Sequence, residues 1–198
     1  MVGVTQFCNY PPEARKKPRI GTFLQPNLEV ILSLRPDLVV IQKNPVRLGA
    51  RLESMGLKTM EVDQPTVEAV YDSIRRIGAA AGVPGRAGAL EEKMRAEVAA
   101  IRDRAAGRPR RRVVFIVGRN PNAIEGLVAV GKGSYLNELL RDAGGENIFE
   151  NTGAAYPRIA VEERRVYAVA SDIFVVPGPR IVEAAREFAR MLGPEAGW

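Results

Sequence analysis

The sequence predicts an α/β fold: two small βα lobes with parallel sheets, joined by one long backbone helix. Three observations lead to this fold class. Short apolar runs alternate with segments whose apolar residues recur at helical spacing, as in successive βα units. Residues 38–41 (LVVI) are apolar without interruption, as in a strand buried on both faces of a parallel sheet. Residues 66–108 have a helical pattern over an unusual length.

The first lobe, residues 1–65, is expected to alternate strands and helices. Asn27 can cap a short helix, and Gly56 can close a second one. The expected elements are a strand over residues 2–5, a helix over 27–34, a strand over 38–41, a helix over 46–55 and a strand over 59–62.

The backbone helix linker covers residues 66–108. Asp63 or Thr66 can cap its start, and a Gly-Val-Pro-Gly sequence at 82–85 should kink or briefly break it. Helical throughout, about forty residues at 1.5 Å each would span roughly 60 Å. That length is too great for an ordinary element of a small domain, so the segment is expected to be a spine between two lobes.

The shortened second lobe, residues 109–198, offers fewer strands. Ser134 can cap a helix that ends at Gly144 and Gly145. The expected elements are a strand over 113–117, a strand over 127–130, a helix over 135–143, a strand over 166–169 and a helix over 179–192. Three strands are few for a self-sufficient sheet.

Composition excludes several kinds of site. The chain has no histidine and one cysteine, Cys8, which excludes an internal disulfide, a multi-cysteine metal site and a Ser-His-Asp triad. We expect no metal bound directly by side chains. No apolar run approaches the length of a membrane span, and no leader is visible, so the protein is either cytosolic or the sequence starts after a removed leader.

Two basic runs contribute to the net charge of +6, at residues 108–112 (RPRRR) and 15–19 (RKKPR). Either run could contact nucleic acid or simply face solvent. No aromatic residues interleave with the arginines, which favours a solvated lead-in to the following strand and no nucleic-acid partner.

Residues 126–133 (GLVAVGKG) nearly match a phosphate-binding loop. The position that should be Ser or Thr is Gly133, and the intervening residues are apolar and strand-like. Carboxylates are scattered without an evident acid/base pair. Catalysis therefore has no positive support, although a small nucleotide-using α/β enzyme is an alternative.

Several of the few aromatic residues fall in predicted loops. Such residues can bind a flat or bulky apolar ligand at the carboxyl ends of strands, or they can plug the edges of a lobe. The pattern alone leaves both possibilities open. The residues concerned are Phe7, Tyr10, Phe23, Tyr156 and Phe174.

An ordered set of short motifs covers most of the chain and resembles one known family. The resemblance is to substrate-binding proteins of ABC importers for cobalamin, haem and iron-siderophores, the type with a helical backbone, and most of all to the cobalamin-binding branch. The motifs lie at residues 2–5 (VGVT), 9–13 (NYPPE), 27–29 (NLE), 34–39 (LRPDLV), 118–121 (GRNP), 144–149 (GGENIF), 156–159 (YPRI) with Glu162, 165–169 (RVYAV), 171–172 (SD) and 177–180 (PGPR).

The resemblance implies a rigid two-lobed binding protein that has no cofactor and is not an enzyme. It also implies a monomer that acts outside the cytoplasm, either in the periplasm or at the extracellular membrane surface. The implied ligand is a corrinoid, cobalamin, in the cleft between the lobes. Haem or a ferric siderophore is the alternative ligand, and Arg119 and Arg158 could bind such an anionic chelate. A degenerate binder retained only for protein contact is a further possibility. The implied ligand-binding residues are Tyr10, Phe23, Asn120, Tyr156 and Asp172; Glu29 and Glu162 are the implied contacts to the importer's permease.

The chain departs from the family pattern in three respects. Family members normally begin with a leader and a first strand before the position of Val2. They also have a strand and helices between the segment at Glu162 and the strand at Val166, where tens of residues are missing here. At two positions that usually carry tryptophan in cobalamin binders, this chain has Phe23 and Tyr156. The resemblance therefore identifies the ligand less directly than it identifies the family.

Overall fold

The computed structural model describes residues 1–43, 47–118, 126–159, 172–174 and 176–193. The chain divides into two compact units, Met1–Asp63 and Gln64–Trp198. Both helices of the segment at 66–108 fall in the second unit.

The first unit packs two helices around a two-stranded parallel sheet. Helix α1 is Leu28–Ser33, strand β1 is Val39–Gln42, helix α2 is Leu48–Ser54 and strand β2 is Thr59–Val62. Strand β1 pairs with β2 in register from Val39 opposite Thr59 to Gln42 opposite Val62. The core consists of Ile31, Ile41, Leu48 and Leu52. These four elements confirm the predicted ones to within two residues at each end.

The strand expected over residues 2–5 is wrong in extent. Only one isolated parallel bridge forms, between Val4 and Arg19. The amide of Val4 donates to the carbonyl of Pro18, and the amide of Ile20 donates to the carbonyl of Val4. The next amide in that ladder would belong to Pro18, which has none, so the pairing cannot extend toward Val2.

The predicted single spine is two helices, α3 (Val67–Ala80) and α4 (Pro84–Ala105). The predicted break is at the right place, but the chain reverses there. Gly78 lies against Ala87 next to the turn, and Glu68 pairs with Arg95 at the far end, so α3 and α4 form an antiparallel hairpin. Gly82 has a φ of +72°, which a kink alone would not need. Thr66, not Asp63, caps α3 by accepting from the amide of Ala69.

The second unit contains more strands than expected, and they are not mostly parallel. Strand β3 (Arg111–Val113) pairs in parallel with β6 (Gly145–Asn147). A second sheet of three strands is antiparallel throughout. Its strands are β4 (Ile116–Gly118), β5 (Leu127–Ala129) and β7 (Arg158–Ile159).

The single strand predicted over 113–117 is therefore wrong, because the chain leaves one sheet after Val113 and enters the other at Ile116. Strands β6 and β7 were not predicted. Both are only two or three residues long and carry polar or charged side chains, so no apolar run marks them. The predicted strand at 166–169 lies outside the described residues.

Helices α4, α5 (Tyr135–Asp142) and α6 (Ile181–Leu192) enclose the core of the second unit. Phe115, Phe174 and Phe188 meet there with ring centroids 5.0 to 5.2 Å apart. Phe174 is only 3% exposed, so this loop aromatic fills the core and does not face a ligand. Within the described ranges, no helix combines the length and the hydropathy needed to cross a bilayer.

Candidate functional site

An arginine holds the first loop of the N-terminal unit in place. Arg19 donates through Nη1 to the carbonyl oxygens of Thr5 and Cys8, both at 2.9 Å. Arg15 donates through Nε to the carbonyl of Asn9 at 3.2 Å. Carbonyls in a loop without regular structure thus receive charged donors, which strengthens these hydrogen bonds. The loop from Thr5 to Asn9 is consequently ordered by the basic run that follows it.

Two neighbouring loops of this unit carry exposed apolar and aromatic side chains. Because Val4 and Arg19 are paired in parallel, the segments that follow them emerge on the same side, and the amide of Gln6 donates to the carbonyl of Gly21. The turn after Gly21 is closed by Thr22, whose hydroxyl accepts from the amide of Gln25 at 2.9 Å. The two loops carry four exposed side chains: Phe7 (70%), Tyr10 (58%), Phe23 (40%) and Leu24 (56%). We call these four residues the aromatic end of the first unit.

Glu29 lies in the first turn of α1, which Asn27 caps by accepting from the amide of Val30 at 3.1 Å. Its side chain is exposed and makes no hydrogen bond or ion pair with any described residue. A carboxylate in this position is favoured by the helix dipole and remains available to an external cation.

In the second unit, Tyr156 lies on a loop pressed against the turn after β5. The amide of Gly131 donates to the carbonyl of Ala155 at 2.8 Å. A Cβ at Gly131 would lie well under 3.0 Å from the carbonyl oxygen of Ala154, so only glycine permits this approach. The Tyr156 hydroxyl lies 3.2 Å from Oγ of the fully buried Ser134, while 48% of Tyr156 remains exposed. The ring is fixed at its hydroxyl end and open elsewhere.

Ser134 also caps helix α5 and accepts from the amide of Leu136 at 3.2 Å. The sequence identified this cap but not the contact with Tyr156. No spacing rule connects two residues 22 positions apart, so only the folded loop could show it.

Two buried amide side chains stabilise the turn after β5. Asn147 donates through Nδ2 to the carbonyl of Val130 at 2.7 Å and to Oδ1 of Asn137 at 2.8 Å. Its own Oδ1 accepts from the amide of Phe149 at 3.1 Å. Asn147 is 4% exposed, so its amide group has protein partners where water is excluded. The end of β6 is thereby fixed to the end of β5, next to the loop of Tyr156.

The backbone excludes a phosphate loop at residues 126–133. The amides of Ala129, Val130 and Gly131 donate to carbonyls of residues 157, 115 and 155. A phosphate loop needs its amides free to surround the anion. The amides that would do so here are committed to strand pairing, so the nucleotide-using alternative loses its one motif.

The structure leaves part of the predicted site undescribed. Asn120 and Glu162 lie outside the described residues. Asp172 begins a short 3-10 helix, Asp172–Phe174, but its side chain is not described. Tyr10, Phe23 and Tyr156 are exposed in their own units, as a ligand contact requires. Among described residues, no group of three or more cysteine, aspartate or glutamate side chains is arranged to hold a metal ion.

Comparison with known proteins identifies a family. The family described as Periplasmic binding protein matches residues 1–178. The vitamin B12-binding protein of Salmonella typhi is 36% identical over 164 residues, which are 82% of this chain and 60% of that protein. The chain thus spans about three fifths of the length of such curated relatives. An uncharacterized ABC transporter substrate-binding lipoprotein of Bacillus subtilis, YvrC, is 26% identical over 98% of this chain and 74% of its own length.

That last alignment runs over 236 residues, more than the 198 of this chain, so the Bacillus protein has segments without a counterpart here. Solved structures share the fold. The periplasmic vitamin B12-binding protein BtuF of Vibrio cholerae superimposes with a TM-score of 0.81 at 21% identity, over 100% of this chain and 89% of the other. The periplasmic haem-binding protein BhuT gives 0.79 at 22% identity, over 100% and 90%.

Proposed function

Since this chain belongs to the periplasmic binding protein family, we propose that it is the extracytoplasmic substrate-binding component of an ABC importer and that its ligand is a corrinoid. The observation that carries the ligand class is the 36% identity to proteins named for vitamin B12 binding. The role is binding and delivery, without chemistry on the ligand. We expect the protein to act as a monomer.

The exposed aromatic residues support a large, flat ligand. Tyr10 and Phe23 of the aromatic end present rings that are 58% and 40% exposed, and Tyr156 of the second unit is 48% exposed with its hydroxyl fixed by Ser134. A fixed aromatic ring loses little conformational freedom when a ligand stacks on it, so its burial contributes nearly in full to affinity. In this proposal the ligand-binding residues are Tyr10, Phe23 and Tyr156, together with Asn120 and Asp172.

The test is calorimetric titration of the purified protein with cyanocobalamin, with haemin and a ferric catecholate as comparators. Saturable one-to-one binding of cyanocobalamin alone is the expected result. Preference for haemin would keep the family role and change the ligand; the 29% identity to the haem-binding protein RhuT of Roseiflexus is the observation that makes this arm necessary. A folded sample that binds none of the three would refute the proposal.

Variants locate the site. Tyr10→Ala and Tyr156→Ala should each weaken cyanocobalamin binding about ten-fold, as expected for loss of one stacked ring. Met55→Ala is the matched control, because Met55 is 45% exposed in the first unit but lies outside the aromatic end. If all three variants bound cyanocobalamin with the affinity of the unmodified chain, the ligand would bind elsewhere.

Glu29 and Glu162 are the proposed contacts to the permease. Glu29 is exposed and unpaired among described residues, which an arginine on another protein would require. The double substitution Glu29→Ala with Glu162→Ala should abolish stimulation of the importer's ATPase while cyanocobalamin affinity stays unchanged. A matched control is Glu53→Ala with Glu92→Ala, one exposed carboxylate from each unit. Stimulation that survives the first pair would reject these contacts.

A further inference from the structure

One basic segment of the second unit carries most of the chain's net charge, and the proposed function does not use it. Residues 102–112 (RDRAAGRPRRR) contain six arginines and one aspartate, a net charge of +5 against +6 for the entire chain. All six arginines are exposed. We call this segment with Arg141 the arginine face.

The fold gathers these arginines where three elements end. The segment joins the last turn of α4 to the start of β3, and β3 pairs in parallel with the start of β6. Arg110 donates to the carbonyl of Arg141 at 3.5 Å, which brings two parts of the sequence that carry arginines together at the end of α5. The charge is thus concentrated in space as well as in sequence.

One of the arginines, Arg110, has a structural role. Arg110 donates through Nη1 to the carbonyl of Gly145 at 3.1 Å and to that of Arg141 at 3.5 Å, the latter in the last turn of α5. A cation at the carbonyl end of a helix is favoured by its dipole. Anchored in this way, Arg110 holds the segment before β3 against the end of α5.

Local acidic groups offset only part of the positive charge of the arginine face. Arg112 meets Glu146 at 4.0 Å with both side chains more than half exposed, and Arg141 meets Glu150 at 3.1 Å. The exposed pair of Arg112 with Glu146 contributes little and is readily exchanged for another anion. Arg111, exposed beside them, has no ion pair with any described residue.

We propose that the arginine face binds the anionic phosphate headgroups of a lipid bilayer, and this inference rests on the proposed function of a binding protein that meets its importer at a membrane. Charge complementarity selects the partner. Arginine pairs with phosphate in a bidentate manner, and clustered basic residues gain affinity for anionic lipid roughly additively. Single-stranded nucleic acid is disfavoured, because no aromatic side chain lies among these arginines to stack on bases.

The experiment is co-sedimentation of the full chain with vesicles of phosphatidylglycerol and phosphatidylcholine, and with vesicles of phosphatidylcholine alone. Binding is expected only to the first, and raising the salt from about 0.05 M to about 0.5 M should release it. Arg108→Gln with Arg111→Gln and Arg112→Gln should weaken binding about a hundred-fold, roughly five-fold for each cation removed. Arg110 is left intact because of its structural role.

Two controls make the outcome specific. Lys16→Gln with Lys17→Gln and Lys58→Gln removes the same charge from exposed positions of the first unit and should leave vesicle binding within about three-fold of the unmodified chain. Replacement of the three arginines by lysine should retain most of the binding, which separates loss of charge from loss of fold.

Equal loss in both charge-removing variants would overturn the proposal, because net charge alone would then explain binding. No binding to phosphatidylglycerol vesicles would overturn it directly, and tighter binding of a single-stranded RNA to the same face would replace lipid with nucleic acid. Cyanocobalamin titration of the same samples reports independently on the proposed function, so the two failures are distinguishable.

Discussion

A substitution at one glycine, Gly78, tests whether α3 and α4 form a helical hairpin or one extended helix. Gly78 belongs to the last turn of α3, and a Cβ added there would lie well under 3.0 Å from the Cβ of Ala87 in α4. The added methyl group of Gly78→Ala therefore has no space between the two helices. In one extended helix the same methyl would be free of such a contact, and the substitution would stabilise the protein.

The magnitude follows from two opposed effects. Ordinary carbon–carbon contact is about 3.5–4.0 Å, so the two backbones must move apart, and such overpacking costs about 1–3 kcal/mol. Alanine is better than glycine inside a helix by about 1 kcal/mol, which offsets part of that cost. The net expectation is a loss of up to about 2 kcal/mol, or up to about 8 °C in Tm for a chain of this size.

Thermal unfolding followed by far-ultraviolet circular dichroism measures this shift. The matched control is Gly88→Ala, because Gly88 lies within α4 and a Cβ there meets nothing within 4 Å. That variant should gain up to about 1 kcal/mol and unfold a few degrees higher. If Gly78→Ala raised Tm as Gly88→Ala does, the close approach of α3 and α4 would be refuted.

Three further perturbations test the second unit. Gly131→Ala should cost about 2–3 kcal/mol in urea unfolding and weaken ligand binding, because its methyl displaces the loop of Tyr156; unchanged stability would contradict the close approach. Asn147→Ala should cost about 3 kcal/mol, since it leaves buried groups of Val130 and Asn137 without their donor, and a loss below about 1 kcal/mol would mean that water replaces the amide. Burial raises the pKa of Asp142 despite nearby arginines, so its ionisation costs stability above the unfolded pKa. Asp142→Asn should therefore raise Tm at pH 7, with the gain vanishing below about pH 4, and a gain that persists in acid would assign the effect to another cause.

Ion pairs in the hairpin show what sequence spacing could not anticipate. Glu91 is 8% exposed and accepts from Arg75 at 2.7 Å and from Arg95 at 2.8 Å, and Arg95 lies 4.2 Å from the ring centroid of Tyr71. The hydrogen bond from Arg95 lowers the pKa of Glu68. Of these three contacts, sequence spacing indicates the pair of Glu91 with Arg95, which are four residues apart. The partners contributed by α3 required the chain to reverse.

The fold class and the family could be predicted because both depend on local patterns and on ordered motifs. Apolar periodicity marked β1, β2, α3 and α4, and the caps at Asn27, Thr66 and Ser134 marked where helices begin. The motif at 144–149 and the other ordered motifs indicated the family of periplasmic binding proteins, which the comparisons confirm. The identity of individual ligand contacts stays a prediction.

The sequence by itself determined where helices start and stop, because caps, prolines and apolar stripes act within a few residues. Only the tertiary structure decided that α3 and α4 fold back on each other, that the second unit divides its short strands between a parallel and an antiparallel sheet, and that Phe174 lies in the core while Tyr10 and Phe23 are exposed. The physical reason is that strands of two or three residues gain their hydrogen bonds from distant partners, and a loop aromatic is buried or exposed according to what packs over it.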